Sequence, residues 1–321
     1  FVGTVQGDAV FSKGNRTDGS GYYMSGSVPA SFLYYDTLDK NAYANCGPIR
    51  KKYEAMGVEF GILSWPIADD YPTPKRLGAY QYFKGGVIYF SPPNGAYYLS
   101  GPIFTKWKEQ GYENGRLGFP TSDPVTTGSG NGPKLQTGLR TSSTQKFEGG
   151  ELFMQTTTTS FAANSESSKP VHVIYSNILS VWNSGLGFPV SDQVSVPARP
   201  TTHFLLGQSI PAFDSVACEN AVIYWCNNLG GRAHVVTGEI LNAYRSLGAS
   251  TSGLGLPTGE QLKSTANNNA NKMGILPGHI DDSYQEFQGG TINYTGGKID
   301  VQYKGNRILP TQPSVIKKIV H

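Results

Sequence analysis

LGFPTSD at Leu117–Asp123 decides how this chain is read, because variants of it stand at three other places: LSWPIAD at Leu63–Asp69, LGFPVSD at Leu186–Asp192 and LGLPTGE at Leu254–Glu260. Each copy runs leucine, small residue, large apolar residue and proline, with an acid three residues beyond the proline. A cassette that recurs in this way marks an array in which one supersecondary unit is stacked several times. Arrays bind extended or repetitive partners, whereas a catalytic centre occurs once.

Upstream of the cassettes lie short segments with helical signals. Gly47–Gly57, Gly101–Gly111 and Gly238–Gly248 begin and end at glycine, and Pro48 and Pro102 sit just inside two of the starts. Proline costs nothing at a first helical position, and a glycine suits the left-handed residue that ends a helix. Ile49/Tyr53, Ile103/Trp107, Ile178/Trp182 and Ile240/Tyr244 place an isoleucine and an aromatic at i and i+4 on one face. Such short helices are not stable alone, so these pairs are expected to be core.

Downstream the period changes to two. GAYQYFKGGVIYFSPPNGAYYLSG at Gly78–Gly101 reads as three antiparallel strands joined by Gly-Gly and Pro-Asn-Gly turns. Related runs are QKFEGGELFMQ, CENAVIYWC and QEFQGGTINYTGGKIDVQY, starting at Gln145, Cys218 and Gln285. In the middle strand Ile88, Leu152, Ile223 and Ile292 share a face with Phe90, Met154, Trp225 and Tyr294. The opposite column, Tyr89, Phe153, Tyr224 and Asn293, admits a polar residue and is expected to be partly exposed.

Gly7–Gly26 matches the end of the first meander, with Phe11 at the position of Phe90 and Tyr22–Gly26 at Tyr97–Gly101. The expected organisation is one repeat domain over residues 1–321: a leading hairpin and connector (1–46), repeats at 47–101, 102–169, 170–238 and 239–306, and a tail (307–321). The class is α+β, built of short helices, cassette loops and small antiparallel meanders. Pro313–His321 can form a further helix, and packing on the leading hairpin would close the array into a pseudo-symmetric ring without exposed edges.

Glycine (40) and proline (20) are abundant, charged residues are only 15%, and the net charge is +3. That charge is too small and dispersed for a nucleic-acid footprint. Aromatics at 12% argue against disorder, and no apolar run approaches the ~18 residues of a membrane span. The chain starts at Phe1 without initiator Met or signal-peptide pattern, which reads as a processed form or an excised fragment; His321 is native or the start of a tag. Cys46, Cys218 and Cys226 permit at most one internal disulfide, and its pairing stays open. An extended path between Cys218 and Cys226 at ~3.3 Å per residue exceeds the ~7 Å Cα limit unless the chain folds back.

The cassette, the glycine-bounded Ile-x-x-x-Trp helix and the F-x-G-G-x-I-Y turn resemble the LGFP repeat family over nearly the whole chain, most closely at Phe83–Gly101 and Ile103–Asp123. Such repeats are found in exported cell-wall proteins of actinobacteria, often beside an amidase or mycoloyltransferase domain. The length and repeat number are similar to the C-terminal region of corynebacterial mycoloyltransferases. The resemblance implies a non-catalytic module that binds wall arabinogalactan, anchors an attached catalytic domain, and is secreted to the mycomembrane-bearing cell envelope of an actinobacterium. The alternative is a structural or protein-interaction spacer. Ser64 and Trp65 in the first cassette, and Leu256 and Glu260 in the fourth, depart from the pattern.

Residues for chemistry are scarce. No serine has glycines at both −2 and +2, as a nucleophile elbow requires. The five histidines form no zinc motif, no Cys-x-x-Cys occurs, and the Gly-rich stretch Gly128–Pro133 lacks the Lys of a phosphate loop. The expectation is no enzyme, no cofactor and no metal in this chain. The candidate glycan contacts are Asp69, Asp123, Asp192 and Glu260, with Tyr89 and Tyr224. A carboxylate accepts from sugar hydroxyls and an aromatic ring takes a C–H face. The competing role for the acids is capping of a turn. Trp65, Phe119, Phe188 and Leu256 are expected to be core rather than stacking platforms.

Overall fold

A computed structural model describes residues 11–14, 21–25, 31–36, 40–127, 139–158, 170–200, 209–263 and 282–304. The chain divides into two compact units, Phe1–Gln193 and Val194–His321. The first unit holds three four-stranded antiparallel sheets. Sheet one is β1 (Phe11–Gly14), β2 (Gly21–Ser25), β3 (Ser31–Asp36) and β4 (Asn41–Cys46), followed by α1 (Gly47–Ala55). Sheet two is β5 (Tyr71–Pro72), β6 (Ala79–Phe83), β7 (Gly86–Ser91) and β8 (Gly95–Leu99), followed by α2 (Gly101–Glu109). Sheet three is β9 (Val125–Thr127), β10 (Leu139–Phe147), β11 (Gly150–Thr158) and β12 (Val171–Tyr175), followed by α3 (Ser176–Leu179).

The second unit repeats the plan. Sheet four is β13 (Val194–Val196), β14 (Phe213–Ala217), β15 (Ala221–Cys226) and β16 (Arg232–Thr237), followed by α4 (Gly238–Ser246). Sheet five is β17 (Leu262–Lys263), β18 (Ser283–Phe287), β19 (Gly290–Thr295) and β20 (Lys298–Tyr303). In every sheet the strands follow chain order. The fold is thus α+β and dominated by antiparallel meanders, with five separate sheets among the described residues. The tail expected to close a ring, residues 307–321, lies outside the described residues.

Two expectations change. In sheets two to five the few residues after the cassette acid add a fourth strand to the meander, beyond the three read from Gly78–Gly101. The N-terminal match is also out of register. Cys46-Gly47-Pro48-Ile49 stands where Ser100-Gly101-Pro102-Ile103 does, so β4 corresponds to β8, and the 31–46 connector is itself two strands. The hairpin of β1 and β2, with Phe11 opposite Met24, is the first half of that sheet rather than the last.

The helical pairs are core. Ile49, Tyr53, Ile103, Trp107, Ile178, Ile240 and Tyr244 are all buried. α1, α2 and α4 each start with a left-handed glycine (Gly47, Gly101, Gly238) and are followed by another (Gly57, Gly111, Gly248). α3 is a single turn; its start carries Ser176 rather than glycine, and Trp182 is only half-buried beyond its end. No helix of the described residues is long and apolar enough to cross a membrane. None of the three cysteines is joined in a disulfide, and Cys218 and Cys226 are buried.

The cassette itself has a physical explanation. Its second residue is left-handed in all four copies: Ser64 (φ 56°), Gly118 (70°), Gly187 (77°) and Gly255 (65°). That turn aims the residue's carbonyl at the helix aromatic. Tyr53 Oη donates to Ser64 O at 2.7 Å, Trp107 Nε1 to Gly118 O at 3.0 Å, Trp182 Nε1 to Gly187 O at 3.1 Å and Tyr244 Oη to Gly255 O at 2.6 Å. A buried Tyr or Trp tip needs such a partner, which explains why these aromatics are never Phe. Ser64 is tolerated for a local reason. A Cβ on Gly118 or Gly255 would lie 2.2 Å from Glu148 Oε2 or 2.6 Å from Gln288 Oε1. Those oxygens accept from Phe119 N and Leu256 N. At the first cassette the corresponding residue is Lys84, which has no acceptor to bring there.

Candidate functional site

Within each compact unit, cassette acids lie along one recurrent seam at the edges of the sheets. Ala44 N on β4 donates to Asp69 Oδ1 at 2.8 Å, Tyr98 N on β8 to Asp123 Oδ1 at 3.2 Å, and Val173 N on β12 to Asp192 Oδ1 at 3.2 Å. Each acid therefore satisfies a backbone N–H on the edge strand of the preceding sheet. This is capping, but of a neighbouring sheet edge rather than of the acid's own turn. The second oxygens of Asp123 and Asp192 take Lys52 and Lys106, from α1 and α2, the latter pair at 2.6 Å. His172 Nδ1 stands 3.5 Å from Asp192 Oδ1. Glu260 is the loosest, 63% exposed, with its Oε1 3.4 Å from His234 Nδ1 on β16.

A buried glutamine completes the seam. Gln81 Nε2 donates to Ala44 O and Ala68 O, Gln145 Nε2 to Tyr98 O and Ser122 O, and Gln285 Nε2 to Val235 O and Gly259 O. One amide thus joins the edge carbonyl of one sheet to the carbonyl just before the acid of the next cassette. All three glutamines have no exposed surface. The sequence signal was the Q-x-F-x-G-G shared by Gln81, Gln145 and Gln285; read as strand pattern alone, its polar member was missed. The fourth sheet carries Val216 at this register.

Tyr89 and Tyr224 are not surface residues. They are 3% and 8% exposed, because the face opposite Ile88 or Ile223 receives the next helix. Tyr89 packs edge-on against Trp107 of α2 at 4.7 Å, and Tyr224 against Tyr244 of α4 at 6.0 Å. Burial pushes both phenols above their ordinary range. Sheets two and four are covered on both faces, which corrects the expectation of a partly exposed column. The six candidates do not converge: each acid belongs to a different sheet edge, and the two tyrosines to different cores. Trp65, Phe119 and Leu256 are buried as core, while Phe188 is half-buried against Trp182.

Around the second cassette a polar clasp adds to the seam. Arg76 pairs with both oxygens of Glu148 at 2.7 and 3.2 Å, donates to Glu113 O at 3.0 Å and lies over the Phe119 ring. Burial pushes the Glu148 carboxyl up. Hydrogen bonds from Arg76, Asn94 and Phe119 N, with the Arg76 charge, overcome that and hold it below the ordinary range. Among the described residues no group of three His, Cys, Asp or Glu side chains is placed to hold a metal ion.

The seam predicts a graded response. Asp123→Asn keeps an acceptor for Tyr98 N and loses the Lys52 ion pair. With side chains 18% and 37% exposed, the expected cost is about 0.2–1 kcal/mol. Asp123→Ala also strips the edge N–H and should cost about 1–3 kcal/mol. Urea denaturation of both variants checks the order; equal losses would show that the edge cap contributes nothing.

The LGFP repeat family model matches residues 63–115, from the first cassette through sheet two and α2 to the turn before the second cassette. No curated protein matches the sequence. The matched stretch contains one complete copy of the geometry described above: left-handed second position, buried cassette aromatic, seam acid and seam glutamine. Over that segment the chain matches the LGFP repeat.

Proposed function

We propose that this chain is a non-catalytic module of the cell surface that binds wall glycan, arabinogalactan in particular, and anchors an attached mycoloyltransferase domain to the envelope of an actinobacterium. The observation that supports this most is the LGFP repeat at 63–115, since the resemblance places such repeats in exported cell-wall proteins. The physical character of the chain agrees. It has little net charge to offer a charged polymer, and its repeated units suit a ligand that is itself repetitive. Several weak contacts along one polymer gain avidity that a single shallow site lacks.

A second reading, a spacer or protein-interaction module without sugar binding, is favoured by one observation. Asp69, Asp123 and Asp192 each spend an oxygen on a sheet edge, leaving less carboxylate for a ligand. Co-sedimentation of the full chain with purified arabinogalactan and with bare peptidoglycan separates the two. Retention on arabinogalactan alone, little changed by salt, is the expected result. No retention on either polymer would leave the spacer reading in possession.

A further inference from the structure

We infer that the β5–β6 margin of sheet two, on the face that α2 covers and beside the end of that helix, is a glycan-stacking shelf built from Tyr71, Tyr80, Tyr82, Phe104 and Tyr112. The inference rests on the glycan reading above and locates where the polymer lies. The rings form a continuous band. Tyr71 stands 6.0 Å from Tyr80, Tyr80 is 5.5 Å from Tyr82, and Tyr82 is 6.3 Å from Phe104. Behind them Tyr80 stacks on the buried Tyr89 at 5.1 Å and 15°, and Trp107 backs Tyr112 at 5.6 Å. Tyr80, Tyr82, Phe104 and Tyr112 are half-buried, and Tyr71 is 47% exposed. Tyr82 also lies close enough to Tyr89 and Tyr112 for their phenols to bear on it electrostatically. The surface therefore offers ring faces for sugar C–H groups and a line of phenolic donors and acceptors for sugar hydroxyls.

The repeats themselves provide the control. Register places Val125, Thr144 and Lys146 of sheet three where Tyr71, Tyr80 and Tyr82 stand in sheet two. In sheet four the same places are Val194, Ser215 and Ala217. Tyr112 answers to Val58 and Ala249, all three left-handed after a left-handed glycine. Sheets three and four fold without rings at these positions, while sheets one and five carry one ring each, Tyr23 and Tyr284, at the place of Tyr80; the fold therefore does not require the full band. Aromatics that packing does not require, held rigid by a buried second row and bearing phenolic hydroxyls, have the character of a binding surface rather than of core. A neutral polyhydroxyl chain fits this surface. The half-exposed rings are mainly phenols rather than hydrocarbon, and the band itself carries no charge.

The test borrows residues from sheet three: Tyr71→Val with Tyr80→Thr, in the full chain. The double variant should keep its thermal midpoint within a few degrees and lose about tenfold or more in affinity for arabinogalactan fragments. Wild-type binding with unchanged affinity in a folded double variant overturns the shelf and leaves the glycan reading intact. Absence of binding by the wild type overturns both. Should the double variant misfold, nitration of the wild type decides, since arabinogalactan fragments must slow modification of Tyr71. An unchanged nitration rate at saturating glycan overturns the shelf, as does a surface that takes a proline-rich peptide and no sugar.

Discussion

Trp107→Ala is expected to cost the Phe1–Gln193 unit about 3–5 kcal/mol, the range of large-to-small changes at a fully packed aromatic. Trp107 has no exposed surface. Its ring meets Tyr89 of sheet two at 4.7 Å and Phe147 of sheet three at 6.0 Å, and its Nε1 holds the carbonyl of Gly118 in the cassette. One side chain thus joins two sheets, a helix and the loop between them. In arrays each unit is stabilised by its neighbours, so the loss should lower the whole transition rather than melt α2 alone. Trp107→Phe separates volume from polarity. It retains most of the packing and leaves Gly118 O unpaired, for an expected cost of about 1–3 kcal/mol. Denaturation followed by near-ultraviolet circular dichroism reads both. An alanine variant that loses under 1 kcal/mol would contradict the central role assigned to this ring.

Gln145→Val should be nearly as damaging, at about 2–5 kcal/mol, because it strips donors from two buried carbonyls at once. The amide links Tyr98 O of β8 to Ser122 O of the second cassette, at 2.9 Å each. No neighbouring backbone can take over. The residue after Asp123 is Pro124, which has no N–H. The contrast lies within the same chain: Val173 O, the counterpart of Tyr98 O, receives the backbone N–H of Gln193 at 2.9 Å. A Pro124→Gln change made together with Gln145→Val should therefore recover part of the loss. Urea titration of the single and double variants tests this, and an absence of recovery would separate the Gln193 bond from the role given to it.

Much of this architecture was legible because local chemistry and global fold agree. The cassettes, the i/i+4 pairs of α1, α2 and α4, and the Gly-Gly hairpins stand where glycine, proline and periodicity place them. The fourth strands were not legible. β5 and β17 have two residues each and β9 and β13 three, too few to show alternation, and they form only because a ready edge lies beside them. The exposure of Tyr89 and Tyr224 was misread through the assumption that a meander buries one face. GVIYF at Gly86–Phe90 and AVIYW at Ala221–Trp225 are near-continuous apolar runs, the pattern of strands covered on both sides. Period two separates two faces but does not say whether the second is covered. The seam acids were recognised as a shared feature but not given their partners, since sequence offset carries no information about which distant N–H an oxygen will meet.

The seam is divided in a way that bears on how such chains grow. One unit supplies an edge strand with an open N–H and carbonyl; the following unit supplies the carboxylate and the amide that engage them. A copied stretch of gene that carries a whole unit therefore brings a plug at one end and a socket at the other, and can be spliced between existing copies with no new interface to evolve. Lengthening is set by faces rather than by locks. Thr291 and Asn293 in sheet five stand where sheet two has Val87 and Tyr89, so that face of sheet five lacks the oily landing surface on which a following helix settles in sheet two.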